Sequence, residues 1–173
     1  MTHADYKTQK ITQVANYLLY LRDEETSAKR LALTIWATDR FHIRHYGRPL
    51  TKTVYFAGDY GPVSQPAHDL LFKTGNLTPE NEKHWDENTI RNIDGTYVAD
   101  NRDTHHLSKV DVHTLESIHT LFEDKSTDEL ELIAKTYPEY TLAINESSRK
   151  IYFEDFFKNP YQDEFFTVGK EQF

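Results

Sequence analysis

The alternation of apolar and polar positions divides the chain into helices interrupted by one turn-rich stretch. Over residues 8–22, Ile11, Val14, Ala15, Leu18 and Leu19 fall at i, i+3, i+4, i+7 and i+8, which predicts a helix with one apolar stripe. Asp23-Glu24-Glu25 closes it in a charged link. Ser27 or Thr26 can cap a second helix that runs to about Tyr46. Its stripe is Ala28, Leu31, Ala32, Ile35, Trp36, Ile43 and Tyr46, while Leu33, Ala37 and Phe41 add a second apolar side. A helix apolar on more than one side belongs at the centre of a fold. Gly47 is a natural stop for it.

Asp39 breaks this pattern, because it stands where the stripe expects an apolar side chain. A buried carboxylate needs partners; breaking such a pair costs roughly 3–5 kcal/mol. Arg48, just past the helix end, is the expected partner, which makes Asp39 an internal tether between helix and loop. Beyond it, residues 53–56 read as a short strand. Ser64 can cap a third helix with Pro66 in its first turn, where the missing N–H costs little. Ala67, Leu70 and Leu71 give that helix an apolar side, and Gly75 closes it. Asp94-Gly95, between Ile90/Ile93 and Tyr97/Val98, signals a hairpin that is expected to share one antiparallel sheet with the earlier strand.

Two capping sequences follow. Ser108-Lys109-Val110-Asp111 resembles a capping box, although Asp is short for the return bond, and it leads into Leu115, Ile118 and Phe122. Ser126-Thr127-Asp128-Glu129 leads into Leu130, Ile133, Ala134 and Tyr137, with Pro138 expected to end that helix. Residues 151–157 read as a short terminal helix ended by Pro160. The fold class expected is mainly α (α+β): a compact helical domain of five to six helices with a small antiparallel β-sheet or hairpin. Residues 1–160 form a single domain in this reading. Residues 161–173 form a flexible tail carrying Phe165, Phe166 and Phe173, which would seek a partner.

Composition narrows the function classes. The 173 residues include eleven Tyr, ten Phe and two Trp, enough aromatic bulk for a core and for a contact surface. With no Cys, disulfides, thiolate zinc sites and Cys nucleophiles are excluded. No apolar run approaches the roughly 18 residues of a membrane span, and the first residues lack a signal-peptide layout. The expectation is a soluble cytoplasmic protein. The net charge of −8 argues against general nucleic-acid binding. That charge is uneven: residues 123–164 hold 11 acidic and 5 basic side chains, whereas residues 40–52 hold Arg40, Arg44, Arg48 and Lys52 and no acid. Two solvated faces explain such runs, and so does a bipolar surface suited to a charged partner.

Nine His residues raise the question of metal. His42 and His45 are three apart on one helix, but no HExxH and no repeated carboxylate–His pattern accompanies them. Phosphate-loop, dinucleotide-binding and nucleophile-elbow motifs are missing from the sequence. The expectation is no catalytic residue, no metal and no cofactor.

At this point the motifs take on a familiar order. Residues 31–71, LALTIWATDRFHIRHYGRPLTKTVYFAGDYGPVSQPAHDLL, resemble the Panacea domain, also described as the SocA-like antitoxin or GepA phage-associated family. Ala37 and Asp39-Arg40 match approximately, with Thr38 inserted. His42-Ile43 stands for His-Leu, while Tyr46-Gly47-Arg48-Pro49-Leu50-Thr51 and Tyr60-Gly61-Pro62-Val63-Ser64 match closely. The chain departs from the family where a His followed by a Trp often stands; here that region holds Thr136-Tyr137-Pro138 and Tyr140. The resemblance implies a bacterial or phage antitoxin that is not an enzyme and that neutralises its cognate toxin by direct protein–protein binding. Some relatives act instead as adaptors that deliver the toxin to a cellular protease, and a homo-oligomer also fits. Motif or toxin-binding candidates are Asp39, Arg40, His42, Arg44, Tyr46, Arg48, Tyr55, Tyr60 and Pro62. Two other classes stay open from the residues alone. One is a hydrolase using Asp39, His42 and His45; the other is a nucleic-acid contact through Arg40, Arg44, Arg48 and Lys52.

Overall fold

The computed structural model describes residues 3–158; the aromatic tail expected over 161–173 lies outside them. The chain forms α1 (Tyr6–Arg22), α2 (Ala28–Tyr46), β1 (Tyr55–Gly58), β2 (Gly61–Ser64) and α3 (Gln65–Phe72). There follow α4 (Pro79–Asn88), β3 (Ile90–Arg91), β4 (Tyr97–Val98), α5 (Lys109–Phe122), α6 (Thr127–Ala134), α7 (Pro138–Ala143) and β5 (Lys150–Ile151), with a 3₁₀ turn over Phe153–Phe157. The expected class holds: mainly helical, with small antiparallel sheets.

Helix α2 is the axle of the fold. Ser27 caps it by accepting from the Arg30 N–H, and every residue from Arg30 to Ile43 is buried. One side, with Leu33, Trp36, Ala37 and Phe41, packs into a cluster with Ile118, Phe122, Leu130, Ala134, Tyr137 and Phe156. The other side, with Leu31, Ala32 and Ile35, packs against Ile11, Val14, Leu18, Leu70, Trp85 and Leu115. The double-sided apolar pattern therefore reflects a helix inserted between two half-cores. Gly47 ends it in left-handed backbone (φ 76°), where its N–H donates to the Ile43 carbonyl at 2.8 Å.

Sheet order and several boundaries differ from expectation. The strand expected at 53–56 is shifted to β1, which pairs with β2 in a hairpin in register Gly58↔Gly61. β5 adds to the other edge of β1, giving the order β2-β1-β5. The Asp94-Gly95 hairpin forms a separate two-stranded sheet, so the single sheet is corrected to two. It docks instead through a bridge between Thr26 and Tyr97. Gly61 has a physical reason for its identity: at φ 138°, an added Cβ would sit 2.9 Å from the Ala134 Cβ.

Two helices went unread, which raises the count above the expected five to six. α4 carries almost no apolar periodicity, because Trp85 is its one buried residue. At α7, Pro138 starts a helix rather than ending one: it occupies the first turn, where it removes no needed N–H. The preceding helix stops at Ala134 instead, with Lys135 as its C-cap. Smaller corrections share this origin in capping chemistry. α1 begins at Tyr6 because the Asp5 side chain accepts from the Thr8 N–H, and α3 ends at a left-handed Lys73 before Gly75 is reached. The Asp111 return bond forms after all, with the Ser108 N–H donating to its carboxylate at 3.0 Å.

Candidate functional site

The motif residues assemble around the C-terminal half of α2 in three buried polar networks. In the first, the Thr51 N–H donates to Asp39 Oδ1 at 2.8 Å, and the Tyr55 hydroxyl donates to Oδ2 at 2.6 Å. The Thr51 hydroxyl donates to Oδ2 as well. From Thr51 a line of hydroxyls continues to Thr53 (3.0 Å) and on to Ser64 (2.8 Å), the residue that caps α3. One carboxylate on α2 thus ties down the loop, both strands of the hairpin and the start of α3. Burial pushes the Asp39 carboxyl up, and the Thr51 and Tyr55 hydrogen bonds pull it part of the way back. Burial and the Asp39 charge push the Tyr55 hydroxyl well above its usual value, so it stays protonated and donates.

Arg48 is not the partner of Asp39. Its side chain is exposed, and its contribution inward is its backbone carbonyl. The loop turns so that Thr51 and Tyr55, rather than the guanidinium, arrive at the carboxylate. Asp39 is an internal tether, as expected, but to hydroxyls and an amide.

The second network holds the loop from its other side. His42 Nδ1 donates to the Arg48 carbonyl at 2.7 Å, and its Nε2 lies 3.4 Å from Asp111 Oδ1. Asp111 Oδ2 in turn lies 3.3 Å from the buried Lys10 ammonium. Burial pushes the Asp111 carboxyl up. His42, the Ser108 N–H and Lys10 together outweigh that and hold it well below the usual carboxylate range. This network joins α1, α2, α5 and the loop.

The third network is an ion pair sealed from solvent. Arg40 Nη1 pairs with Glu139 Oε1, both side chains being fully buried. The guanidinium lies over the Tyr137 ring, 4.0 Å from its centroid, and Trp36 Nε1 donates to the same carboxylate oxygen at 3.3 Å. Burial pushes the Glu139 carboxyl up, with Arg40 opposing. Tyr137 and Glu139, from the segment 136–140, thus form part of the shell around Arg40.

Of the nine candidates, Asp39, Arg40, His42, Tyr55 and Pro62 lie inside. Arg44 is half-buried and donates to the Phe156 carbonyl at 2.8 Å, which fastens the 3₁₀ turn to α2. Tyr60 is half-buried beside Phe72, with the Lys29 ammonium 5.5 Å from its ring; it lines an open groove of about 480 Å³ at the hairpin tip. Tyr46 and Arg48 face solvent. The basic run is therefore split: Arg40 and Arg44 serve the interior, and Arg48 and Lys52 serve the surface. His45 lies flat on Phe41, with ring centroids 3.9 Å apart, and its Nδ1 donates to the Phe41 carbonyl. Asp39, His42 and His45 thus make separate hydrogen bonds, although His42 is near enough to act on the Asp39 carboxyl. Among the described residues, no group of three or more His, Asp or Glu side chains is placed to hold a metal ion.

Sequence reading missed Thr51, Thr53, Lys10, Asp111 and Glu139 as members of these networks. Asp111 had one signal, its place in a cap. Glu139 was hidden within an acidic run, its only local mark being the Pro before it at a helix start. A family model described as antitoxin SocA-like, Panacea domain, matches residues 34–139. The match spans more than half of the chain and includes every member of the three networks except Lys10. Neither the curated proteins nor the solved structures provide a match.

Proposed function

The chain belongs to the SocA-like antitoxin family with a Panacea domain, and from that premise we propose that it is the antitoxin of a toxin–antitoxin pair and neutralises its cognate toxin by direct protein–protein binding. The family implies an antitoxin role and, in general, a toxin as partner. It suggests a role other than catalysis.

The observation that carries the reading is what the family motif is used for. Its charged residues Asp39 and Arg40, together with His42, each have a structural partner in the interior. What the motif brings to the surface is a loop held at both ends, with Tyr46 and Arg48 outward. A chain that spends buried carboxylates on fixing an exposed loop is built to present a shape. Preorganisation of this kind favours binding, because less freedom is lost on association. No described helix is long and apolar enough to cross a membrane.

The test is co-expression with the product of the adjacent open reading frame. Growth should be restored, and the two proteins should co-purify in stoichiometric amounts. If that product kills cells regardless and no complex forms, the reading fails. Measuring the half-life of the toxin in the same cells separates the two modes: sequestration leaves it unchanged, whereas delivery to a protease shortens it.

A further inference from the structure

We propose that the toxin docks on the end of the molecule where α1 begins, α2 stops and α5 begins, and that the surface it offers there is acidic. This rests on the antitoxin reading above and adds the face and the chemistry of the partner.

Three observations point to this end. The first is charge. In a chain of net charge −8, Lys7, Arg48, Lys52 and Lys109 are all exposed here, and among the described residues none of them forms an ion pair. Three acids near this end already have partners: Asp69, which shares a groove with Lys7 and Asp5, accepts from the Gln65 side chain at 2.8 Å. Asp111 is paired with Lys10 beside the His42 ring beneath the surface, and Asp5 caps α1 and bonds Asn81. The contacts Lys10–Asp111, His42–Asp111 and His42–Arg48 carbonyl place these elements side by side.

The second is the kind of side chain exposed. Tyr6 and Tyr46 are each 47 % exposed, with Lys52 5.4 Å from the Tyr6 ring and His42 4.8 Å from the Tyr46 ring. Tyr and Arg are the residues enriched where interfaces concentrate their binding energy.

The third is strain. Lys52 takes left-handed backbone (φ 56°) without being glycine, directly after Thr51, which Asp39 holds. A non-glycine residue keeps such backbone only when its surroundings impose it, and such positions cluster at functional sites. Here the strained backbone lifts an ammonium onto the aromatic surface. An acidic protein is favoured over nucleic acid because the long-range field of the whole chain repels phosphate. Only the local field of this end is attractive, and that suits a partner of matching patch size.

The experiment uses the full chain and the adjacent-frame product as probe. Charge reversal at Arg48→Glu, Lys52→Glu and Lys109→Glu is compared with reversal at Lys83→Glu, Arg91→Glu and Lys150→Glu, three exposed cations elsewhere. All six side chains lie at the surface, so both variants should melt with the wild type. The first should weaken the complex at least about 100-fold and abolish growth rescue, since like charges brought together at an interface cost several kcal/mol. The second should keep both. Arg48→Ala alone, which retains the carbonyl used by His42, should weaken binding about tenfold with the fold untouched. If wild type forms no complex, the antitoxin reading falls and this proposal with it. If wild type binds and the first variant binds as well as the second, the face is wrong while the reading stands. If the first variant keeps the toxin but loses a DNA duplex that wild type binds at low salt, the end is a nucleic-acid site and the proposal is overturned.

Discussion

The loop over residues 47–52 and the segment that carries α4 and the β3–β4 hairpin are both irregular excursions from the helical core, and they are held in opposite ways. The loop is fastened from beneath by ionisable groups. Asp39 accepts from Thr51 and Tyr55 on one side, and His42 reaches the Arg48 carbonyl on the other. The second segment is held inside by two aromatic side chains with neutral polar tips, while its ion pairs, Lys73 with Glu82 and Asp86, lie toward solvent. Trp85 meets Tyr97 edge-on at 5.7 Å between ring centroids. Trp85 Nε1 donates to the Tyr97 hydroxyl at 3.3 Å, and that hydroxyl donates to the Leu71 carbonyl at 2.7 Å. Carboxylates accept several strong hydrogen bonds and leave several groups stranded when removed. The difference teaches that buried charge fastens the exposed loop, whereas the other excursion, which also lies within the family match, is anchored chiefly by burial of aromatic area.

The comparison can be broken most forcefully at Asp39. Asp39→Ala strands the Thr51 amide and two hydroxyls in the interior and should lower stability by about 3–5 kcal/mol, read from urea unfolding. A loss below about 1 kcal/mol would show that the loop does not depend on its anchor. In the other region, Tyr97→Phe removes one neutral hydroxyl and should cost about 1–2 kcal/mol in the same assay. An equal loss at both positions would erase the distinction.

Acid sharpens it further. The folded Asp111 carboxyl titrates below its unfolded value of about 3.9. Its contribution is therefore fully present above that value and is lost as pH falls toward the depressed folded one. Stability measured from pH 5 downward should decline in the wild type, and part of that decline should vanish in Asp111→Asn. The smallest effect is expected at Lys52. Lys52→Gly relieves left-handed strain of about 1–2 kcal/mol but adds freedom to the unfolded chain, for a net gain of about 0.5 kcal/mol. A melting temperature higher by about 1–2 °C would register it.

Much of this was legible in the residues, and the remainder was not for identifiable reasons. α2 could be read whole because cap, double stripe and terminal Gly47 agree. Asp39 announced itself as a polar break in an apolar stripe. Its partners did not, because Thr51 and Tyr55 lie 12 and 16 positions onward and reach it only through the path of the loop. Glu139 is 99 positions from Arg40, beyond any local pattern. α4 escaped because a single Trp gives no periodicity, and α7 because a proline marks either end of a helix equally well until its neighbours are known. The basic run at 40–52 looked uniform along the chain. Helical geometry turned Arg40 inward, and the loop after the helix left Arg48 at the surface.

The central claim is that the exposed loop is rigid because buried charge pins it, and the amide of Thr51 reports on that bond directly. Hydrogen exchange at this amide should be protected to nearly the level of the α2 core in the wild type and should accelerate selectively in Asp39→Asn. Exchange in the wild type as fast as that of an unanchored surface loop would contradict the account.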